Sequence, residues 1–323
     1  MNGATWHRTG PVGSTAVPSA LPTITAYRTQ EAHRRSRFSG PGRLPRLGVA
    51  AGAVVLSLAV AGAALATSVN AIHIFTPTSA DQVTNIDILR MEIANYYGDP
   101  AKSGTFSPDS NYAREASSVA ADGAHWLAAK ANSQAPSGMK AIVLDVDDTT
   151  LATWNYEVFS NWAYNPTTNA TYVLGQLFPA VPGMVGMVSQ AKAEGYAVFF
   201  ITGRPDSQHV ATLGNLGADG TGIDAGYPAP TAVDIGHGGF TDGLFTKPSV
   251  GSYPAYLDKP EFCAAAIDAD KSCATIPYKA GTRAYIESLG YEIVADFGDQ
   301  YSDLLGGYAD KTFKMPNPNY YLP

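Results

Sequence analysis

The sequence has 323 residues, of which 45% are hydrophobic and 15% are charged, and this composition excludes a disordered chain or a coiled coil. Residues 1–66 carry seven basic residues and one acidic residue, so residues 67–323 carry 14 basic and 27 acidic residues, a net charge of -13. Because phosphate backbones repel such a surface, we expect no binding of nucleic acid.

The N-terminal segment, residues 1–71, has the features of an export signal. An uncharged apolar run at 47–66 follows a basic region, and two small-x-small patterns predict cleavage before Thr67 or Ile72. The alternative is a membrane anchor, since about 20 apolar residues can span a bilayer. The run consists largely of Ala and Gly, which favours cleavage. We therefore expect a secreted protein with no stable membrane span after cleavage.

Two helices are predicted within residues 81–135, before the first strand. Apolar residues at helical spacing begin at Ile86, and the glycine and proline of 98–100 end this helix. Asp109 is a favourable N-cap for the second helix, which continues through Leu127. The small residues of the second helix predict close packing against a larger body.

Short apolar runs then predict strands that are buried on both faces of a parallel sheet. The runs are 141–144, 197–201 and 291–297. Helices are predicted between them at 182–194 and 279–289, each followed by a glycine. Because strands and helices alternate, we predict an α/β fold, a three-layer α/β/α sandwich around a central parallel sheet, in one domain spanning residues 72–323.

The two cysteines of the chain, Cys263 and Cys273, both follow the predicted signal. An even number of cysteines in an oxidising compartment favours a disulfide between them. Two separate buried thiols are the alternative.

Polar residues follow each of the three predicted strands. In chain order they are Asp145 and Asp147, then Thr202, Gly203 and Arg204, and finally Asp299 and Asp303. In open parallel sheets, ligands bind beyond the carboxyl ends of the strands. Chemically capable residues at all three ends therefore predict a functional site at this edge.

Converging carboxylates need a cation or shifted pKa values, because like charges 4 Å apart repel by ~4 kcal/mol at an effective dielectric of 20. Oxygen ligands suit Mg²⁺, which also binds beside substrate phosphate. Lys279 is predicted at the start of a helix, where backbone N–H groups also favour anions. A carboxylate nucleophile, a lysine and a magnesium site together predict phosphoryl transfer.

Four motifs of the chain resemble those of the haloacid dehalogenase superfamily. They are DVDDTT at 145–150, TGR at 202–204, YK at 278–279 and GDQYSDL at 298–304. The closer resemblance is to the acid phosphatase branch, subfamily IIIB, which includes plant acid phosphatases and vegetative storage proteins. The run KTFKMPNP at 311–318 also resembles this branch. The resemblance spans roughly residues 81–323.

The resemblance implies roles for the matched carboxylates. Asp145 would be the nucleophile that forms an aspartyl-phosphate. Asp147 would protonate the leaving alcohol and then activate water. Mg²⁺ would be held by Asp145, the backbone carbonyl of Asp147 and Asp299, with Asp303 acting directly or through water.

The resemblance also implies a phosphate-binding set. Thr202 and Lys279 would hold the phosphoryl oxygens, and Gly203 would allow the backbone to approach the substrate closely. Arg204 would either contact the substrate or brace the loop.

Inserts after the nucleophile cover the active site in this superfamily, which implies a small helical cap at 151–180. Five aromatic residues here could stack on a substrate or form the core of the cap: Trp154, Tyr156, Phe159, Trp162 and Tyr164. A second segment, 219–260, is rich in Gly and Pro. It contains His237, for which a loop position is favoured over a catalytic role.

We therefore expect a secreted, Mg²⁺-dependent acid phosphatase that acts on small phosphomonoesters. One alternative is a non-enzymatic storage or binding protein on the same scaffold, although the presence of Asp145 favours an enzyme. The other is a nucleotidase or phosphotransferase, which would share the catalytic residues. Assembly into a homo-oligomer is a further open expectation.

Overall fold

The structure is a computed structural model. It describes residues 75–133, 138–217, 220–236, 239–264 and 272–322. The predicted export signal at 1–71 and the loop residue His237 lie outside these ranges. Among the described helices, none is both long and apolar enough to cross a membrane.

A parallel sheet of five strands forms the centre of the fold. The described strands are β1 (Met139–Leu144), β2 (Ala197–Pro205), β3 (Val233–Gly236), β4 (Gly239–Thr241), β5 (Leu244–Lys247), β6 (Tyr291–Gly298) and β7 (Thr312–Lys314). Their order in the sheet is β5-β2-β1-β6-β7, while β3 and β4 form a separate antiparallel pair. In the middle of the sheet, Val143 of β1 pairs with Phe199 of β2 and Asp296 of β6.

The three predicted strands are confirmed as β1, β2 and β6, but the two edge strands were not predicted. β5 lies inside the Gly- and Pro-rich segment 219–260 and has four residues, and β7 has three. Runs this short carry no recognisable apolar pattern. Each edge strand pairs with a single neighbour, so its formation depends on a sheet that is already in place.

Helices cover both faces of the sheet. The described helices are α1 (Ile86–Tyr96), α2 (Asn111–Ala131), α3 (Trp154–Ser160), α4 (Pro166–Leu174), α5 (Met184–Ala193), α6 (His209–Leu216), α7 (Thr275–Ser288) and α8 (Tyr301–Leu304). Ile142 and Leu144 of β1 belong to the same core as residues of α2 and α5. Ala141 and Val143, which point the other way because side chains alternate along a strand, belong to the core that contains Tyr278 of α7. The three-layer sandwich is therefore confirmed.

The start of α2 differs slightly from the prediction. The side chain of Ser110 accepts a hydrogen bond of 3.0 Å from the backbone N–H of Ala113. Ser110, and not Asp109, is therefore the N-cap, because its oxygen satisfies one of the free N–H groups of the first turn.

The start of α7 corrects a more consequential expectation. This helix begins at Thr275, so Lys279 is its fifth residue and lies in the second turn. Pro277 fits the first turn because the N–H groups there have no partner within the helix. Lys279 still contributes its positive charge, but it does not lie at the helix N-terminus, and the expected help from free backbone N–H groups at its position is wrong.

The disulfide between Cys263 and Cys273 is confirmed, with a Cα–Cα distance of 4.9 Å. Both cysteines are fully buried, and they share a core with Leu257 and with Tyr278 of α7. The bridge thus ties the segment before α7 to the helix that carries Lys279.

The predicted insert after β1 folds as the two short helices α3 and α4. Trp154 is buried and stacks on Tyr97, with ring centroids 4.2 Å apart and nearly parallel planes, and Tyr156 is buried as well. Phe159 and Tyr164 are 59% and 71% exposed. Trp154 and Tyr156 are therefore core residues, whereas Phe159 and Tyr164 expose their rings to solvent.

Candidate active site

The predicted site residues lie at the carboxyl ends of the central strands. Asp145 directly follows β1, and Asp299 directly follows β6. Thr202, Gly203 and Arg204 belong to the last part of β2, which continues to Pro205 and not to Ile201 as expected. Lys279 comes from α7 and Asp303 from α8. The parallel topology brings them together because the strand ends meet at one edge of the sheet.

Lys279 lies between two of the predicted carboxylates. Its Nζ donates to Oδ1 of Asp145 and lies 2.7 Å from Oδ1 of Asp303. Burial lowers the pKa of Lys279, but the charges of Asp145 and Asp303 together raise it by more than burial lowers it. The pKa of Lys279 therefore lies above the usual lysine value. Lys279 is therefore a cation at neutral pH, fixed at the centre of the site.

Three buried carboxylates surround a common point. Oxygen atoms of Asp145, Asp299 and Asp303 all lie within 4.8 Å of one another. Burial, together with the Asp303 charge, raises the pKa of Asp299 to about 8. Burial also raises the pKa of Asp145 well above its usual value, although Lys279 acts in the opposite direction. Lys279 offsets one of the three negative charges, and a divalent cation with oxygen ligands such as Mg²⁺ fits the remainder.

Two amide groups orient Asp299. Gln300 Nε2 donates to Oδ2 of Asp299 at 2.7 Å, and Asn317 Nδ2 donates to the same oxygen at 2.6 Å. The Thr149 hydroxyl lies 3.4 Å from Oδ1. Neither Gln300 nor Asn317 was predicted as a site residue. The available signal was that these two residues lie inside the GDQYSDL and KTFKMPNP segments. The contact of Asn317 with Asp299 could not be read from that signal, because the two residues are 18 positions apart in the sequence.

The side chain of Asp147 pairs with Arg204 and is not one of the three clustered carboxylates. Arg204 donates from Nη2 to Oδ1 at 2.6 Å and from Nε to Oδ2 at 3.0 Å, a bidentate pair. A third bond of 3.0 Å runs from Arg204 to the hydroxyl of Thr212. Arg204 is 5% exposed, whereas the Asp147 side chain is 31% exposed. Of the two expected roles for Arg204, the structure thus has the bracing contact.

Asp148, which was not predicted as a site residue, shapes the loop that follows Asp147. Its φ of +52° is in the left-handed region, which Asp adopts more readily than most residues. Its buried carboxylate accepts bonds of 2.9 and 2.6 Å from the N–H and hydroxyl of Thr153. Burial raises the pKa of Asp148 to about 7, and the Thr153 bonds lower it in part. This turn lets the chain bend between Asp147 and α3.

Thr202 and Gly203 lie in the last part of β2, just beyond Phe200, which pairs with Leu144 of β1. Thr202 is fully buried, and its hydroxyl accepts a bond of 3.1 Å from the N–H of Arg204. Gly203 is exposed, and no neighbouring atom lies within 4 Å of the position that a Cβ would take. The space beside the Gly203 backbone is therefore open to a ligand.

A buried arginine supports Asp303 from the opposite side. Arg283 donates to the backbone carbonyls of Asp303 and Leu305, and its Nη1 lies 2.8 Å from Oδ2 of Asp296. Burial raises the pKa of Asp296 to about 7, while Arg283 lowers it. Lys279 and Arg283 are four residues apart on α7 and share one face of the helix. A single helix thus supplies the cation of the site and the support for Asp303.

Comparison with known proteins extends this description. A profile of the HAD superfamily, subfamily IIIB (acid phosphatase), matches residues 58–233 and 256–323. The stem 28 kDa glycoprotein of Glycine max is 49% identical over 49 residues, 15% of this chain and 19% of that protein. Vegetative storage protein 2 of Arabidopsis thaliana is 42% identical over 48 residues, which cover 15% and 18%. Acid phosphatase 1 of Solanum lycopersicum is 26% identical over 199 residues, which cover 57% and 60%.

The alignments with these relatives span less than two thirds of each relative's length. Among solved structures, the class C acid phosphatase from Bacillus anthracis has a TM-score of 0.50 and 17% identity, covering 73% of this chain and 87% of that one. The same enzyme with tungstate bound has a TM-score of 0.50 and 19% identity, covering 74% and 87%. At these identities the likeness supports the fold alone. Since the subfamily profile matches well over half of the sequence, the chain belongs to the acid phosphatase subfamily, IIIB, of the HAD superfamily.

Proposed function

We propose that this protein is an acid phosphatase that hydrolyses small phosphomonoesters through an aspartyl-phosphate on Asp145. The observation that carries the proposal is the buried cluster of Asp145, Asp299 and Asp303 around Lys279, at the strand ends of a chain from this subfamily. With a divalent cation bound, such a cluster would hold a phosphate and offset its charge while it presents a carboxylate to the phosphorus. Residues 72–323 form the phosphatase domain in this proposal.

In the first step, a carboxylate oxygen of Asp145 attacks the phosphorus. Lys279 engages Oδ1, which leaves Oδ2 as the attacking atom. The new bond joins this oxygen to phosphorus, the bond from phosphorus to the alcohol oxygen breaks, and Asp147 gives its proton to the departing oxygen. Lys279 and Thr202 would hold the phosphoryl oxygens, while the open space beside Gly203 would admit the ester.

In the second step, water cleaves the aspartyl-phosphate. Asp147 accepts a proton from the water as its oxygen attacks the phosphorus, and the bond to Asp145 breaks to release phosphate. The bidentate contact with Arg204 holds Asp147 in one orientation for both steps. A bound Mg²⁺ would be held by Asp145, Asp299 and Asp303, together with the backbone carbonyl of Asp147, and would neutralise phosphoryl charge.

Removal of divalent metal should lower phosphatase activity at least about 100-fold, because charge stabilisation by a catalytic metal is worth several kcal/mol. Activity of the purified protein on a panel of phosphomonoesters would be measured in excess EDTA and again after Mg²⁺ is restored. EDTA already saturated with Mg²⁺ is the matched control and should leave activity intact. Full activity in excess free EDTA would contradict the metal site.

A storage role on the same scaffold is the second candidate, because short segments match stem glycoproteins and vegetative storage proteins. The presence of Asp145 beside Lys279 favours the enzyme, since a storage protein has no need of a buried nucleophile. Absence of turnover on every ester of the panel, in a folded protein that has Mg²⁺ available, would favour the storage role.

We also propose that the protein is secreted and that an export signal within residues 1–71 is removed. The apolar run at 47–66 supports export, and the disulfide between Cys263 and Cys273 suits an oxidising compartment. The intact mass of protein recovered from the culture medium should correspond to a chain that begins at Thr67 or Ile72. A full-length chain retained in the membrane fraction would contradict cleavage.

A further inference from the structure

We infer that the C-terminal tail, residues 315–322, is part of the metal centre, and that Asn317 is a positioning residue for the Asp299 carboxylate. The inference rests on the proposed function, since it takes Asp299 as a ligand of the divalent cation. It assigns a task to a segment that contributes no carboxylate and no cation to the site.

The two oxygens of Asp299 have different surroundings. Asn317 Nδ2 and Gln300 Nε2 both donate to Oδ2, at 2.6 and 2.7 Å. An amide nitrogen only donates, so these two bonds commit Oδ2 to the protein. Oδ1 lies 3.4 Å from the Thr149 hydroxyl and is the oxygen that remains for a cation. The geometry therefore points to one-oxygen ligation by Asp299 through Oδ1.

The orientation of the Asn317 amide is itself determined by the tail. Its Oδ1 accepts a bond of 2.8 Å from the backbone N–H of Asn319. This contact places the oxygen of the amide on the tail and turns the nitrogen toward Asp299. If the Asn317 amide were inverted, its oxygen would face the Asp299 carboxylate and its nitrogen would face the N–H of Asn319. Two acceptors and two donors would then oppose each other, so the contact with Asn319 determines that Asn317 donates to Asp299.

Gln300 also depends on the tail. Its Oε1 accepts a bond of 3.1 Å from the backbone N–H of Leu322, and its Nε2 lies 3.4 Å from the carbonyl of Tyr320. The Ser302 hydroxyl contacts the carbonyl of Leu322 at 3.3 Å. Both amide donors of Asp299 are thus oriented by backbone groups of residues 319–322.

The tail has anchors that do not involve the Asn317 side chain. Met315 donates its N–H to the carbonyl of Gly298 at 2.8 Å, and Asn319 Nδ2 donates to the hydroxyl of Tyr97 at 2.9 Å. Trp162 of the cap donates to Asn319 Oδ1 at 3.2 Å. Loss of the Asn317 side chain would therefore remove one donor from Asp299 and the acceptor of the Asn319 N–H, while these three anchors of the tail remain. This separates positioning of the ligand from support of the fold.

Asn317→Ala should raise the dissociation constant for Mg²⁺ about tenfold, since loss of a group that orients a metal ligand typically costs about 10–100-fold in affinity. Isothermal titration of Mg²⁺ into the purified full chain measures this without turnover. Asn317→Leu, which keeps the volume and lacks the donor, should behave in the same way. Asn132→Ala is the matched control, because the same truncation at this exposed residue after α2 lies outside the site and should leave the affinity unchanged.

Kinetics with p-nitrophenyl phosphate give a second readout. The Mg²⁺ concentration for half-maximal activity should rise by the same factor of about ten, while KM at saturating Mg²⁺ stays within about twofold of wild type. A general loosening of the site would change both quantities. A rise in KM alone would therefore overturn the positioning role.

The remaining outcomes separate this inference from the proposed function. If the wild-type chain binds no Mg²⁺, the metal centre itself is wrong, and the positioning role falls with it. If the wild type binds Mg²⁺ and both folded variants bind it equally well, only the inference is overturned. Unfolding of both variants would overturn it too, since Asn317 would then be a structural residue.

Discussion

Asp145→Asn should abolish turnover and prevent formation of any phosphoenzyme. The amide preserves the shape of the side chain but removes the negative charge that attacks phosphorus, and loss of a covalent nucleophile costs at least about 10⁴-fold in rate. Rapid acid quench followed by mass spectrometry of the peptide that contains Asp145 measures the covalent adduct directly. We expect the adduct in the wild type and none in the variant.

The fold should survive this substitution. Burial already disfavours the charged form of Asp145 by raising its pKa, so a neutral amide is tolerated at this position, and Lys279 keeps its contact with Asp303. Thermal unfolding without added metal would verify this. Asp310→Asn, the same chemical change at a carboxylate 3.9 Å from Lys130, is the control for activity. Normal turnover by Asp145→Asn would exclude the aspartyl-phosphate mechanism.

Asp147→Asn should slow turnover ~10²–10⁴-fold, the usual effect of losing general acid–base help. With p-nitrophenyl phosphate, whose leaving group needs no proton, attack by Asp145 is largely spared. Hydrolysis of the phosphoenzyme still requires a base for the attacking water. Phospho-Asp145 should therefore accumulate during turnover, and the same quench experiment would detect a higher occupancy than in the wild type.

A poor leaving group supplies the matched comparison for Asp147. With an alkyl phosphate, the first step also needs a proton, so the variant should lose more activity and show little phosphoenzyme. The contact with Arg204 should survive in part in this variant, because the oxygen that the new amide retains would still accept one of the two bonds from the guanidinium. Equal slowing of both substrates without any adduct would contradict the dual role of Asp147.

The central part of the fold and the ends of its strands were predictable because their determinants are local. Strands β1, β2 and β6 each contain a short apolar run, and residues such as Asp145 and Asp299 are placed by the strand that they follow. The edge strands β5 and β7 were not predicted, because they have only four and three residues and form only against a neighbouring strand. Helix bounds were right to within a few residues, and the early start of α7 moved Lys279 away from the N-terminus.

Local patterns were enough to identify the residues with the chemistry for phosphoryl transfer and, through alternation of strands and helices, to place them at one edge of a parallel sheet. The direction in which each side chain points depends instead on tertiary contacts. Lys279 contacts a carboxylate 134 residues earlier, and Arg204 pairs with Asp147 across 57 residues. Asn317 meets Asp299 from a tail with no periodic pattern. Such contacts depend on the packing of distant segments and on the cost of burying an unpaired charge, which no local pattern encodes.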